Sequence, residues 1–163
     1  MTVDIGYVVD KYSGMIFKTA YTYLQNREDA EDVMQEVFIR YVRHQKDFND
    51  EEHQKAWLLR VAINCSKSTL AVRKRNSDIE KKAAEVTKKS DNDFSELFGA
   101  VMSLPEKQRL CVHLFYYENY SIKEISKVTG FLTSTVKSHL FRAKQNLKEK
   151  LKGVYSDEHL EEL

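Results

Sequence analysis

Apolar residues recur every three or four positions along most of the chain, which is the period of an amphipathic helix. This pattern predicts helices over residues 3–25, 27–44, about 52 or 55 to 75, and 93–102, with further helices beyond Pro105. No run of alternating apolar and polar residues is long enough to predict a strand. The pattern therefore indicates an all-α protein. Its predicted core positions in the first two helices are Val8, Tyr12, Ile16, Ala20 and Leu24, then Ala30, Val33, Val37, Phe38 and Tyr41. Asn26 is placed to cap the second helix.

The helical pattern is lost between residues 76 and 92, where charged side chains dominate and large apolar ones are nearly absent. Such a segment has little to bury and favours a flexible linker. We predict two small helical domains, residues 1–75 and 93–152, with the linker at 76–92 and an acidic tail at 153–163. The polar stretch 47–54 reads as a loop inside the first domain.

The second domain contains two predicted helix starts. Ser103 and Glu106 have the spacing of a capping box, and Pro105 suits a first helical turn. The helix that follows is predicted to be largely buried, at Leu110, Val112, Leu114, Phe115 and Tyr117.

The end of this domain has the form of a helix-turn-helix. Ser121 and Glu124 form a second capping box, Gly130 suits the end of that helix, and Thr133 is placed to cap the next one. The last helix is predicted to pack on one side through Val136, Leu140, Ala143, Leu147 and Leu151. It is also basic: residues 120–152 hold eight Lys or Arg against two acids. The second helix of such a motif enters the DNA major groove. An ordinary amphipathic hairpin with a solvated charged face would show the same local pattern.

Composition limits the possible functions. The 163 residues carry a formal net charge of +1 and two widely separated cysteines, Cys65 and Cys111. These thiols read as small core residues, because neither has a partner at metal-ligand spacing. No nucleophile–base pair or paired carboxylates are apparent, so we expect no catalysis and no cofactor. No membrane-spanning stretch or signal peptide is visible, which predicts a cytoplasmic protein.

Three segments together resemble bacterial RNA polymerase sigma factors of the extracytoplasmic-function (ECF) class. They are residues 29–40, DAEDVMQEVFIR; residues 57–64, WLLRVAIN; and residues 104–143, from LPEKQR through TVKS to RA. The matches occur in the family's order and cover most of residues 5–151. The resemblance implies a subunit that binds core polymerase, recognises promoter DNA and promotes strand opening.

The first segment resembles the part of the family that docks on the clamp coiled coil of the largest polymerase subunit. The resemblance implies that five residues of the second helix bind polymerase, namely Asp29, Asp32, Gln35, Glu36 and Arg40. The simpler interpretation of the acids is capping of a helix N-terminus and solubility.

The second segment resembles the helix that reads the downstream (minus-ten) promoter element. The resemblance implies that Phe48 and the loop after it accept a base turned out of the melted strand, and that Asn64 contacts its edge. The implied DNA-binding residues here are Phe48, Arg60, Asn64, Lys67, Arg73, Lys74 and Arg75. Asn64 can equally point to solvent, and Trp57 reads as a core anchor.

The third segment resembles the domain that reads the upstream (minus-thirty-five) element. The implied DNA-binding residues are Ser134, Thr135, Lys137, Ser138, His139, Arg142 and Lys144. This chain departs from the family at His139, where Arg is usual, at Ser126, where Ala is usual, and at residues 131–134, which replace a Pro-containing turn.

The resemblance also implies partners. The first is core RNA polymerase, contacted through its clamp coiled coil and its flap region, and the second is promoter DNA. The third is an anti-sigma factor, which could hold the chain at the membrane. When active, the chain would associate with the nucleoid. No small-molecule substrate is expected. The alternative is a stand-alone helix-turn-helix regulator that binds operator DNA as a dimer. The acidic segment 29–40 distinguishes the two, because such a regulator has no need of it.

Overall fold

The computed structural model describes residues 4–44, 47–77 and 94–152, and these ranges contain helices and no strand. The all-α prediction is confirmed. The helices are α1 (Ile5–Leu24), α2 (Arg27–Arg43), α3 (Glu51–Ser77), α4 (Phe94–Met102), α5 (Glu106–Val112), α6 (Ile122–Thr129) and α7 (Thr133–Lys150). A short π-helix, His113–Tyr117, continues α5.

Local side-chain caps set the first helix boundaries. Asp4 accepts a hydrogen bond from the Tyr7 backbone N–H at 3.3 Å and so caps α1. Gln25 ends α1 in the left-handed conformation, with φ 55°. Asn26 then accepts from the Asp29 backbone N–H at 2.9 Å, which confirms its predicted role as the cap of α2. The reversal between α1 and α2 therefore takes only two residues.

The first three helices pack on one another, α1 and α2 along their predicted stripes. All five core positions predicted in α1 are buried, as are four of the five in α2. Phe38 is half-buried and packs at the edge of the same cluster. From α3 the cluster takes mainly Leu58, Leu59, Ala62 and Ile63.

The predicted loop at 47–54 is shorter than expected, because α3 begins at Glu51. The Asp50 carboxylate accepts from the His53 backbone N–H at 2.8 Å, a helix-capping bond that the polar composition of the stretch did not reveal. At its other end α3 runs to Ser77, so the first two residues assigned to the linker are helical. The rest of that linker, like the tail from residue 153, lies outside the described residues.

The capping box predicted at Ser103 and Glu106 is wrong. The Ser103 hydroxyl donates to the Ala100 carbonyl at 2.7 Å, and Glu106 instead pairs with Lys74 of α3 at 3.0 Å. Pro105 occupies the cap position of α5 without any side-chain hydrogen bond. Tyr117, predicted to be buried, is exposed, since the π-helical turn changes the face on which it lies.

The helix-turn-helix is confirmed. Ser121 and Glu124 form both hydrogen bonds of the capping box, at 3.1 and 3.0 Å, and Gly130 ends α6 with φ 82°. Thr133 is not the cap of α7; it is the first helical residue, after Leu132, which caps without a side-chain bond. The predicted core face of α7 is confirmed, with Val136, Ala143, Leu147 and Leu151 buried and Leu140 half-buried.

The two halves of the described chain share a core. Leu110, Leu114 and Ile125 of the second half are fully buried in the same cluster as Ile16 and Leu58 of the first. A smaller cluster belongs to the second half alone and joins Ala100, Leu104, Val112, Ala143, Leu147 and Leu151.

Arg109 of α5 ties the halves together. Its guanidinium is buried and donates to the backbone carbonyls of Thr22 at 2.7 Å, Tyr23 at 2.8 Å and Leu104 at 2.5 Å. Thr22 and Tyr23 lie in the last turn of α1, where carbonyls have no partner within the helix. One side chain thus completes the end of α1 and fixes α5 against it.

His113 lies at the same junction and yields a prediction on stability. It contacts Thr19 of α1 at 3.2 Å and stacks on Tyr117, with ring centroids 5.1 Å apart. Burial, with a smaller contribution from Lys18, lowers the pKa of His113 from 6.5 to about 4. The Glu118 carboxylate lies 4.0 Å away but is paired with Lys55 at 3.2 Å, so its attraction for a proton on His113 is weakened.

We predict that acid destabilises the fold through His113. Below pH 6.5 the unfolded chain binds a proton at His113 that the folded chain does not take up until about pH 4. By linkage, the free energy of unfolding falls across this window, by about 3 kcal/mol at its lower end. His113→Gln should remove that part of the slope in urea denaturation measured between these pH values. His159→Gln, at the histidine of the tail, is the control, and equal slopes in wild type and His113→Gln would contradict the prediction.

Candidate functional site

The exposed side of α2 carries the residues implied to bind polymerase. Asp32 and Gln35 are exposed, and the half-buried Glu36 forms an ion pair with Arg40 one turn later at 3.0 Å. Asp29 is placed differently, because its carboxylate is paired with Arg73 of α3. Asp32, Gln35, Glu36 and Arg40 therefore form one continuous polar surface, and Asp29 lies at its edge.

Two apolar residues extend this surface and were not among the predicted site residues. Ile39 is 45% exposed and Val42 is 65% exposed, both on α2 beyond the acidic residues. The sequence could have indicated them, because neither residue falls on the predicted core stripe of α2. A charged surface with adjacent exposed apolar side chains is typical of a protein-binding site.

Phe48 lies within a group of aromatic rings where α2 gives way to α3. Its ring stacks on Tyr41 and on His44, with centroids 6.1 and 4.9 Å apart, and meets Trp57 edge-on at 5.7 Å. Phe48 and Trp57 are both half-buried and pack against the main core. Phe48 therefore forms a wall that supports the loop rather than a free-standing platform for a base.

Two histidines fix this loop and were not predicted as site residues. The His53 ring accepts a hydrogen bond from the Asn49 backbone N–H at 3.0 Å and packs against Phe48 at 5.3 Å. His44 lies against Trp57 at 4.7 Å. These contacts join residues that are not neighbours in sequence. The histidines form no pattern in the sequence from which such contacts could be predicted.

The middle of α3 carries three of the implied DNA-binding residues. Asn64 is exposed. Arg60 donates to the Lys127 carbonyl of α6 at 2.9 Å, and Lys67 donates to the Thr129 carbonyl at 2.6 Å. Burial lowers the pKa of Lys67, and neighbouring Lys107 adds to the effect. Both cations thus contact the helix-turn-helix in this structure.

The basic end of α3 is also engaged with the rest of the fold. Arg73 donates to the Leu24 carbonyl at the end of α1, at 2.8 Å, as well as pairing with Asp29. Lys74 is paired with Glu106, and Arg75 is exposed. Of these three implied DNA-binding residues, Arg73 has the clearest structural role.

The outer face of α7 presents most of the residues implied to read the upstream element. Ser134, Lys137, Ser138 and Arg142 are exposed, whereas Thr135, His139 and Lys144 are half-buried. The helix is held in place by Val136 and Ala143, which are fully buried on its opposite side. This arrangement leaves one polar, basic face that fits a DNA groove.

His139 differs from its neighbours on α7. Its Nδ1 atom is buried and has no hydrogen-bond partner in the described part of the chain, and its ring lies 5.5 Å from that of Phe131. Burial lowers the pKa of His139, with smaller contributions from Lys107 and Arg142. His139 thus faces the turn before α7 more than the open surface.

Exposed apolar residues flank the α7 face. Phe141 is 66% exposed and Leu132 is 73% exposed. Neither was predicted as a site residue, although Phe141 falls outside the core stripe of α7. Apolar side chains on a DNA-reading helix can contact the methyl group of thymine.

The described residues bring no three metal-binding side chains together, and none of their helices is long and apolar enough to cross a membrane.

Comparison with known families decides the identity. The profile of sigma-70 region 2 matches residues 8–76, and the profile of sigma-70 region 4 matches residues 95–147. The chain belongs to the sigma-70 family. It is an RNA polymerase sigma factor of the ECF type, a class of non-catalytic transcription initiation factors. Region 2 spans α1 to α3, and region 4 spans α4 to α7 as far as Leu147.

Individual sigma factors resemble this one over most of their length. The RNA polymerase sigma factor SigV of Bacillus subtilis is 25% identical over 130 residues, 78% of each chain. The ECF RNA polymerase sigma-E factor of Haemophilus influenzae is 28% identical and covers 90% of this chain and 87% of its own. In B. subtilis, the ECF RNA polymerase sigma factor SigW is 25% identical over 90% of this chain and 88% of its own.

Solved structures share the fold. The sigma factor RpoE of Bartonella quintana, in complex with the anti-sigma factor NepR, superposes with a TM-score of 0.74 at 22% identity over 92% of this chain and 98% of its own. CnrH, in complex with the cytosolic domain of CnrY, superposes with a TM-score of 0.62 at 19% identity over 91% of this chain and 87% of its own.

Proposed function

We propose that this sigma factor divides promoter recognition among three surfaces, on α2, α3 and α7. The observation that carries the proposal is the separation of these surfaces: each lies on a different helix, opposite a buried stripe that fixes it. We propose a corresponding division into an N-terminal domain, which ends with α3, and a C-terminal domain, which begins with α4.

The α2 surface docks on core polymerase in this proposal. Asp32, Gln35, Glu36 and Arg40 meet basic polymerase residues of the clamp coiled coil, with Asp29 at the edge. Ile39 and Val42 add apolar contact area. The exposed carboxylates provide electrostatic complementarity, and the apolar pair provides burial.

The α3 surface binds the melted downstream element. Asn64 offers an amide that can bond two groups on a base edge, and the loop supported by Phe48 receives the base. Arg60, Lys67 and the basic end of α3, at Arg73, Lys74 and Arg75, follow the phosphates.

The α7 surface reads the upstream element as a duplex, while α5 and the turn after it lie toward the polymerase flap. Lys137, Ser138 and Arg142 are the best-exposed candidates for contacts to bases and phosphates. Ser134, Thr135, His139 and Lys144 complete the face.

We further propose an anti-sigma factor as a partner. The solved structures of RpoE and CnrH both include a partner chain, NepR and the cytosolic domain of CnrY. Because a sigma factor works where polymerase and DNA are, we place this chain in the cytoplasm, on the nucleoid when active, and at the membrane when such a partner holds it there. The alternative, a dimeric operator-binding regulator, is disfavoured because both sigma regions are present.

Charge reversal on α2 tests polymerase docking. Asp32→Lys combined with Glu36→Lys should abolish co-purification with core polymerase, because like charges across an interface cost several kcal/mol. Folding should be intact, since neither residue belongs to the buried stripe of α2. Asp10→Lys with Glu149→Lys makes the same charge change at exposed positions on α1 and α7 and should leave binding unchanged. Normal co-purification of the Asp32/Glu36 variant would refute the docking role.

A second pair of variants separates the two DNA surfaces. Arg142→Ala should weaken binding of holoenzyme to duplex promoter DNA by about 1–3 kcal/mol if it contacts a base edge. Asn64→Ala should leave closed-complex binding nearly intact and slow strand opening, because its partner is exposed only after melting. Lys150→Ala, at the exposed end of α7, is the control for the loss of one positive charge.

A template already melted across the downstream element distinguishes these effects. Pre-melting removes the cost of unpairing, so it should partly rescue Asn64→Ala and leave the upstream defect of Arg142→Ala unchanged. Equal losses for both variants on duplex and melted templates, with no change in sequence preference, would overturn the assignment.

A further inference from the structure

The short segment before α3 is tied to α2 on both of its sides. The Phe48 ring stacks on Tyr41 and His44 of the α2 end. The Gln54 side chain donates to the Tyr41 hydroxyl at 2.9 Å, which ties the first turn of α3 to α2. Phe48 and the first turn of α3 are therefore both fixed, and residues 49 and 50, which lie between them, are exposed.

Asp50 and His53 close this exposed segment with two reciprocal hydrogen bonds. The Asp50 carboxylate accepts from the His53 backbone N–H at 2.8 Å, and the His53 Nδ1 atom accepts from the Asn49 backbone N–H at 3.0 Å. The arrangement resembles a capping box, except that a His replaces the Glu or Gln and reaches one residue further back. Helical side chains lean toward the N-terminus of their helix, which brings the His53 ring to the loop.

The His53 side chain makes a second contact through its ring. It meets the Phe48 ring edge-on, with centroids 5.3 Å apart and an angle of 79° between the planes. A backbone N–H can only donate, so the Nδ1 atom that faces Asn49 bears no proton and the imidazole carries its proton on Nε2. One side chain thus supplies an acceptor for the loop backbone and an aromatic edge for Phe48.

We propose that His53 is a positioning residue for capture of the downstream base, because its bond to Asn49 holds the backbone of residues 48–50 in the conformation that receives the base. A loop that is ordered in advance loses less conformational freedom when it binds, so the captured state is favoured. This inference rests on the proposed role of the loop supported by Phe48 as the acceptor of a base from the melted strand.

Two substitutions separate the acceptor of His53 from its ring. Asn can place its amide oxygen where the imidazole has Nδ1, so His53→Asn keeps the acceptor and loses the ring. His53→Phe keeps a ring beside Phe48 and loses the acceptor. Because His53 is exposed, neither change removes a buried side chain. His159→Phe makes the same replacement in the tail and is the control.

The first measurement is hydrogen exchange of the Asn49 amide in the free, full-length chain, followed by NMR. His53→Phe should speed this exchange by about three- to tenfold, the factor expected for the loss of one hydrogen bond. His53→Asn and His159→Phe should exchange at a rate close to that of wild type. Equal exchange in wild type and His53→Phe would show that the bond does not hold the loop and would overturn the proposal.

The second measurement uses holoenzyme formed from core polymerase and this chain, on a promoter fragment recovered by run-off transcription over a random pool. The fluorescence of 2-aminopurine in the downstream element reports strand opening. His53→Phe should slow opening by about three- to tenfold and leave closed-complex binding unchanged, because the base is exposed only after melting. His53→Asn should open at a rate near that of wild type, and so should His159→Phe.

The two measurements distinguish failure of this inference from failure of the proposed function. Faster Asn49 exchange in His53→Phe with unchanged opening would show that the loop does not receive the base, and both would be overturned. Unchanged exchange would overturn the role of His53 alone. Equal slowing of opening by His53→Asn and His53→Phe would assign the effect to ring packing and overturn the role of the hydrogen bond.

Discussion

The buried guanidinium of Arg109 is the contact on which the arrangement of the helices depends. The last carbonyls of α1, like those of any helix, lack partners within the helix, and the chain turns into α2 within two residues. Arg109 supplies donors to two of them, and Arg73 supplies one to a third, at Leu24. Because Arg109 also holds the Leu104 carbonyl ahead of α5, it fixes the start of the second domain against the end of the first. A charge this deeply buried is tolerated only when its donors are satisfied.

The end of α6 shows the same pairing of helix-end carbonyls with cationic side chains, but the two domains exchange roles. There the second domain supplies the unsatisfied carbonyls, and Arg60 and Lys67 of α3 supply the donors. The chain carries 26 Lys and Arg against 25 acids, and several of the basic groups expected to contact DNA are engaged within the fold. Such a protein has little free positive surface with which to hold DNA by phosphate contacts alone. This fits a sigma factor, which acts together with polymerase rather than as a free-standing DNA binder.

Local sequence rules predicted the features that are decided within one or two helical turns. The Asn26 cap, the Ser121–Glu124 capping box and the Gly130 helix end depend on neighbours in sequence, and the structure confirms all three. The rules failed where a distant partner competed, as when Lys74 took Glu106 away from the predicted capping box. The contacts of Arg60 and Lys67 with α6, and those of Arg109 with α1, join residues more than 60 positions apart, so no local pattern could show them. The sequence located the candidate surfaces, but it could not show which of their residues serve the fold as well.

The most direct test of the account is run-off transcription by purified core RNA polymerase with this chain, over a pool of promoter fragments. The account predicts discrete start sites that appear only when the chain is present, each with a shared upstream element and a shared downstream element at fixed spacing. That spacing should follow from two reading surfaces carried by one polypeptide. No start site above the level of core polymerase alone, from a folded chain that binds duplex DNA as a dimer, would contradict the account and favour a stand-alone regulator.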